Sequence, residues 1–276
     1  MAKQQRRYAT EVDKPIPKVD ATRPHPARVY DYWLGGKDNF AVDREVAKQV
    51  IDAFPGIIPG VRAQRAFLGR AVRHLVNDRG VRQFLDIGTG LPAAGNTHEV
   101  AQQAAPESRV VYVDNDPMVL AHARALLIST RAGACSYVDA DLRDVDTILY
   151  EAEGVLDFRQ PVGIVLLGVM QFIDDREDPH GILARLLSAV PPGSYLVLGQ
   201  PASDIFSERM AEAQSRFRRQ VGGANVLRSH EQVSSFFRGL ELIEPGVVQL
   251  PQWQPDPGSE LPAEPVPFWC GAGRKP

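Results

Sequence analysis

The chain has few cysteines, little net charge and no long apolar run. Its two cysteines, Cys135 and Cys270, lie far apart in 276 residues. No residues at metal-ligand spacing surround them. A disulfide framework and a metal site therefore drop out of the reading, and two reduced thiols are expected. A net charge of −3 leaves no global basic field to gather nucleic acid or an acidic membrane. No apolar run approaches the ~20 residues of a membrane span, and the opening residues lack the apolar core of a signal peptide. A cytoplasmic protein is expected. Lysine is scarce beside arginine, a bias of GC-rich bacterial genomes. What remains is ordinary for a globular protein: 44% hydrophobic and 24% charged residues, enough for one large α/β domain with additions.

Residues 1–26 are polar, net basic and interrupted by prolines, so they read as an arm outside the fold. Residues 27–80 read as a helical cap. Its first part, around Tyr30, Tyr32, Trp33, Leu34 and Phe40, is dense in aromatics and turns at Gly35-Gly36. Two amphipathic helices are predicted over 42–54 and 60–78. From 81 to 276 strand and helix patterns alternate. Strands are predicted over 82–87, 109–114, 134–139, 162–169 and 195–199, with helices between them. Helices over 204–221 and 229–238 follow, the latter opened by the capping-box pattern Ser229-His230-Glu231-Gln232. Strands at 240–250 and 268–273 flank a Pro-rich loop. The alternation predicts a doubly wound, mostly parallel seven-stranded sheet with an antiparallel C-terminal edge strand and added N-terminal helices.

In such sheets ligands bind beyond the carboxyl ends of the strands, so the residues at those ends carry the functional reading. The first strand ends in Asp86, followed by the turn Gly88-Thr89-Gly90. Glycines there let a ligand approach the backbone closely. The turn's N–H groups suit a carboxylate, and Asp86 suits an ammonium. The second strand ends at Asp114, followed by Asn115; a carboxylate at that point can accept both hydroxyls of a ribose. After the third come Asp141, placed to accept an adenine amino group, and Leu142, placed to cover the ring. The fourth ends at Gly168, with Gln171 beyond it on the side where a substrate would lie. Methionine, ribose and adenine in that order make S-adenosylmethionine (AdoMet). Gly88-Thr89-Gly90-Leu91-Pro92-Ala93 also fits the dinucleotide pattern, which leaves an NAD-dependent oxidoreductase as an alternative. Asp86 argues against it, because a carboxylate before the turn would repel a pyrophosphate.

Several motifs carry a resemblance. Ala27-Arg28-Val29-Tyr30-Asp31-Tyr32-Trp33-Leu34-Gly35-Gly36-Lys37-Asp38-Asn39-Phe40, then Asp86-Ile87-Gly88-Thr89-Gly90-Leu91-Pro92, Asn96-Thr97-His98-Glu99 and Val111-Tyr112-Val113-Asp114-Asn115-Asp116-Pro117 resemble the bacterial S-adenosyl methyltransferase family. That family was long labelled a domain of unknown function, and it belongs to the class I, Rossmann-like methyltransferases. The resemblance implies AdoMet as cofactor, with Gly88, Gly90, Asp114 and Asp141 in its site; it implies no substrate. Tyr30 or a neighbouring ring can face the sulfonium, and Arg28 can bind the methionine carboxylate or a substrate anion. The aromatic segment can equally be a packing strap. No residue stands out as catalytic base; His98, near the cofactor turn, is the most tempting, while Gln171 and Gln200, after the fourth and fifth strands, are placed to touch substrate and neither is a base; His98 and Gln171 are the catalytic candidates. The expected activity is methyl transfer to the oxygen or nitrogen of a small molecule. An AdoMet-binding regulator without turnover is the reading from a different class.

Overall fold

A computed structural model describes residues 19–126 and 129–276. Residues 1–18 of the expected arm lie outside the described residues. Three helices open the described chain. The first, α1 (Pro26–Leu34), has proline in its first turn and ends at Gly35, whose φ of +83° closes the last turn; proline's fixed φ and glycine's tolerance of the left-handed region suit those ends. Next come α2 (Ala41–Ala53) and α3 (Ile57–Asn77). Trp33 Nε1 donates to Ala47 O at 3.2 Å and ties α1 to α2. The aromatic stretch is thus a helix whose rings turn inward.

The sheet follows: β1 (Gln83–Ile87), α4 (Thr97–Ala104), β2 (Arg109–Asp114), α5 (Pro117–Leu126), β3 (Ala134–Asp139), α6 (Val145–Ala152), β4 (Gly163–Leu167), α7 (Pro179–Ser188) and β5 (Tyr195–Pro201). Then come α8 (Ser207–Val221), α9 (His230–Ser235), β6 (Glu241–Leu242), β7 (Val248–Gln249) and β8 (Phe268–Arg274). The strand order is β3-β2-β1-β4-β5-β8-β6, with β7 also on β8. Strands β1 to β5 run parallel, and β8 runs antiparallel to β5. This is the predicted doubly wound sheet with its antiparallel C-terminal strand. It counts eight strands rather than seven because the segment predicted as one strand over 240–250 splits at Pro245-Gly246. The two short pieces pair with β8, and β6 flanks it on the outside.

Both faces are covered, and the period of two shows why. Phe84, Val110, Tyr112, Val165 and Val197 point to the side of α1–α5 and α8. Leu85, Val111, Val113, Ile164 and Leu198 point to α6, α7 and α9. Helix α4 begins at Thr97, later than the predicted 93, because Glu99 turns back to accept from Gly95 N and Asn96 N at 2.8 and 3.0 Å. The predicted Ser229 capping box forms, with Ser229 N donating to Gln232 Oε1 at 2.9 Å and Gln232 N to Ser229 Oγ at 3.3 Å. Arg70 of α3 donates to the carbonyls of Leu250 and Trp253, while Trp253 lies edge-on to Phe67. That pins the Pro-rich loop behind α3. Among the described residues no helix is long and apolar enough to cross a membrane.

Candidate functional site

Between β1 and β4 the strand order reverses, and the turns leaving these strands diverge. A cavity of about 360 Å³ opens there, within the size range of small-molecule sites. Its floor is the carboxyl edge of the sheet, and its roof is built from α1, α3, α8 and the loop after α8.

The turn after β1 is held across to β2: Gly88 N and Thr89 N both donate to Val113 O, at 2.8 and 3.3 Å. Gly88 has φ +73°, and a Cβ there would sit 2.5 Å from Val169 Cβ and Cγ2. The turns leaving β1 and β4 therefore touch through a glycine. Gly90, φ +68°, has open space where its Cβ would be, and its N–H donates to Asp114 Oδ2 at 2.8 Å. Asp114 Oδ1 accepts from Asp116 N at 3.0 Å. Burial pushes the Asp114 carboxyl up.

Asp86 is buried at the cavity floor, where Thr97 Oγ1 donates to Oδ2 at 2.6 Å. Burial pushes its carboxyl up to about 6, against that hydrogen bond and the nearby Arg65 charge. A desolvated carboxylate facing a cavity favours a cationic ligand group. Asn115 Nδ2 donates to Asp141 Oδ2 at 3.0 Å, and Arg143 Nη1 bridges both Asp141 oxygens at 2.9 and 3.1 Å. Leu142 is buried beside them. Asp86, Gly88, Thr89, Gly90, Asp114, Asn115, Asp141, Leu142 and Gly168 all line this one cavity, as do Tyr30 and Gln171.

Three expected positions are corrected. Arg28 does not line the cavity. Its Nε donates to both oxygens of the fully buried Asp43, at 3.1 and 3.3 Å, and its Nη2 to the carbonyls of Arg23 and Asp20. It is a strut between α1 and α2, and its guanidinium also lies over the Phe40 ring. His98 is buried on α4 away from the cavity. Its N–H donates to the Tyr112 hydroxyl at 2.8 Å, and that hydroxyl lies 2.8 Å from Nδ1. Burial lowers its pKa and favours the neutral ring. Gln200 is fully buried, donates to Val226 O at 2.7 Å and lies outside the cavity lining.

The sequence reading did not reach two residues of α3. Gln64 and Arg65 both line the cavity. A signal existed: Gln64 falls on the apolar stripe of Val61, Leu68, Ala71 and Leu75, where a polar residue needs a partner. Its Nε2 donates to the Tyr30 hydroxyl at 3.3 Å, and that hydroxyl donates to Val61 O at 3.3 Å. Burial pushes the Tyr30 phenol up to about 12. A Cβ on Gly168 would come within 2.7 Å of Gln64 Nε2, so the carboxamide rests on the turn after β4. Gln64 Oε1, Gln171 Oε1 and Arg65 Nε are enclosed without a hydrogen-bond partner. Each such group left unpaired costs about 1–3 kcal/mol, a cost that a ligand relieves.

The dinucleotide alternative meets a geometric objection. A pyrophosphate site needs the glycine turn to open directly into a helix N-terminus. Here residues 91–96 intervene before α4.

Residues 13–276 match the model of a family described as S-adenosyl methyltransferase. A crystal structure of a DUF574-family protein from Streptomyces avermitilis is 40% identical, with 94% of this chain and 100% of that chain covered and a TM-score of 0.90. A candidate methyltransferase from Thermobifida fusca is 37% identical, with coverages of 95% and 99% and a TM-score of 0.86. The plantazolicin methyltransferase BpumL, solved with S-adenosylhomocysteine, shares the fold at 12% identity, coverages of 91% and 95%, and a TM-score of 0.53. No curated protein matches the chain.

Proposed function

The chain belongs to the S-adenosyl methyltransferase family and is an AdoMet-dependent methyltransferase, and from that premise we propose that it methylates an oxygen or nitrogen of a small molecule held in the cavity beneath α1, α3 and α8. When bound, AdoMet supplies a methyl group made electrophilic by its sulfonium.

The observation that carries the site assignment is the meeting of Asp86, Asp114 and Asp141 along one cavity edge, in strand order, beside the open backbone of Gly90. Asp86 binds the ammonium, and its buried position strengthens that attraction. Arg65 takes the methionine carboxylate: its Nη2 is fixed by the carbonyls of Ala94 and Gly95, at 3.2 and 3.1 Å, while its Nε is unpaired. Asp114 receives the ribose diol, and Asp141 the adenine amino group, with Leu142 against the ring. Tyr30 and Gly168 stand between this half and the acceptor half. The residues over 27–80 act as the cap that shields the acceptor from water. Alignment of donor and acceptor, rather than proton transfer by a side chain, supplies most of the acceleration.

Calorimetric titration with AdoMet tests the assignment. Wild type should bind, and Asp114→Ala should weaken binding about tenfold. The low end of the range for a charged hydrogen bond applies because each Asp114 oxygen already accepts a backbone N–H. Unchanged affinity in Asp114→Ala would move the ribose elsewhere.

A further inference from the structure

The acceptor half of the cavity holds groups that the cofactor assignment leaves unused. We propose that its substrate is a neutral, flat, largely apolar molecule that presents O–H or N–H donors to the carboxamide oxygens of Gln64 and Gln171. This rests on the reading of the cavity as a joint site for AdoMet and acceptor.

The two oxygens are held in place by contacts that do not satisfy them. Gln64 is anchored through Nε2 on the Tyr30 hydroxyl and packed against Gly168. The hydroxyl's single proton is committed to Val61 O, so it cannot turn back to Gln64 Oε1. Gln171 sits in the turn Met170–Phe172 after β4. The buried Arg228 fixes that turn by donating to Met170 O at 2.8 Å, Ile173 O at 2.9 Å and Asp175 Oδ1 at 2.8 Å. Val226 N donates to Gln171 O at 2.7 Å. A fixed backbone with an enclosed, unpaired side-chain oxygen marks a place for a donor from outside the chain.

The surroundings define the rest of the ligand. Phe217 of α8 lies with its ring centroid 6.3 Å from that of Trp33 and 6.3 Å from that of Phe172, at tilts of 39° and 34°. Met210, Leu227 and Phe268 continue this wall. Such a surface stacks a planar apolar body. Little charge is free here: the carboxylates lie along the cofactor edge, Tyr30 is neutral, Arg65 is shared with the carbonyls of Ala94 and Gly95, and Arg143, which donates to Phe172 O, is paired with Asp141 and Glu177. A cationic acceptor would lack an anion, and an anionic one would face two carboxamide oxygens. A neutral donor satisfies both.

The test uses the protein loaded with S-adenosylhomocysteine and three probes of similar shape: naphthol, its methyl ether, and naphthoate. Isothermal calorimetry should show naphthol binding about five- to tenfold tighter than the ether, with naphthoate weakest. Gln171→Leu and Gln64→Leu, each checked for S-adenosylhomocysteine binding as a measure of intact folding, should together erase that preference, and at least one alone should reduce it. Equal binding of naphthol and ether, tightest binding of naphthoate, binding of none of the three, or a preference undiminished in both single leucine variants or still present in the double variant would overturn the proposal. Failure of wild type to bind S-adenosylhomocysteine would instead strike the underlying site assignment, and this inference with it.

Discussion

Asp86→Asn is expected to stabilise the free protein at pH 8 by roughly 3 kcal/mol, and to weaken AdoMet binding by about a hundredfold. Both effects come from one cause. Burial holds the Asp86 carboxyl up at about 6, above its value in an unfolded chain. Stability from its protonated form is therefore complete below the unfolded value and is lost as pH rises through about 6. At pH 8 the folded protein carries a desolvated carboxylate, which asparagine removes while leaving an oxygen for Thr97 Oγ1. Below about pH 4 the carboxyl is protonated in both states, and variant and wild type should converge. Cofactor affinity runs the other way. The ammonium needs the ionised form, so wild-type affinity should fall by up to tenfold per pH unit below about 6. The variant should be flatter over that window. Denaturant titration at pH 4 and pH 8, beside calorimetry with AdoMet over the same range, reads both. An asparagine variant that binds AdoMet as wild type does would remove Asp86 from the ammonium site.

Gly88→Ala is expected to cost about 2–5 kcal/mol of stability and about a hundredfold or more in AdoMet affinity. Two separable penalties apply. The backbone at φ +73° disfavours any side chain, and the new Cβ would meet Val169 Cβ and Cγ2 at 2.5 Å. Relief of that clash must displace the turn that lines the cofactor edge of the cavity and holds Asp114 through Gly90 N. Trimming the neighbour separates the parts. Gly88→Ala with Val169→Ala should regain the packing component and keep the backbone strain. Gly90→Ala is the matched control, since φ is +68° but nothing lies within 4 Å of its Cβ position. It should lose only about 1–2 kcal/mol. Thermal unfolding and AdoMet titration of the four proteins check this, and equal damage from Gly88→Ala and Gly90→Ala would refute the role given to Val169.

The floor of the site was legible in the sequence because it is written locally. An apolar run ending in Asp86 and Gly88, another ending in Asp114, and a third leading to Asp141 each declare a strand and what stands at its end. The roof was less legible because its meaning depends on what packs across from it. Arg28 sits in a motif that invites a ligand role, yet Asp43, fifteen positions on, occupies its Nε. His98 follows the cofactor turn in sequence but turns away from it, onto Tyr112 of the next strand. Gln64 and Arg65 lie in a helix whose arginines read as a solvated face, and only the folded chain shows which polar groups look inward. The split of the 240–250 segment follows from Pro245-Gly246, where the chain turns before it can extend into one strand.

Rim and floor come from different stretches of the chain. Strand ends line the floor of the cavity, while Trp33, Gln64, Phe217 and Leu227 line its roof from helices and a loop that the sheet does not require for its register. Substitutions in the roof can therefore accumulate without disturbing the donor's seat. A single scaffold can diversify in what it modifies, and an engineer can exchange the acceptor by rebuilding four side chains and leaving every strand untouched.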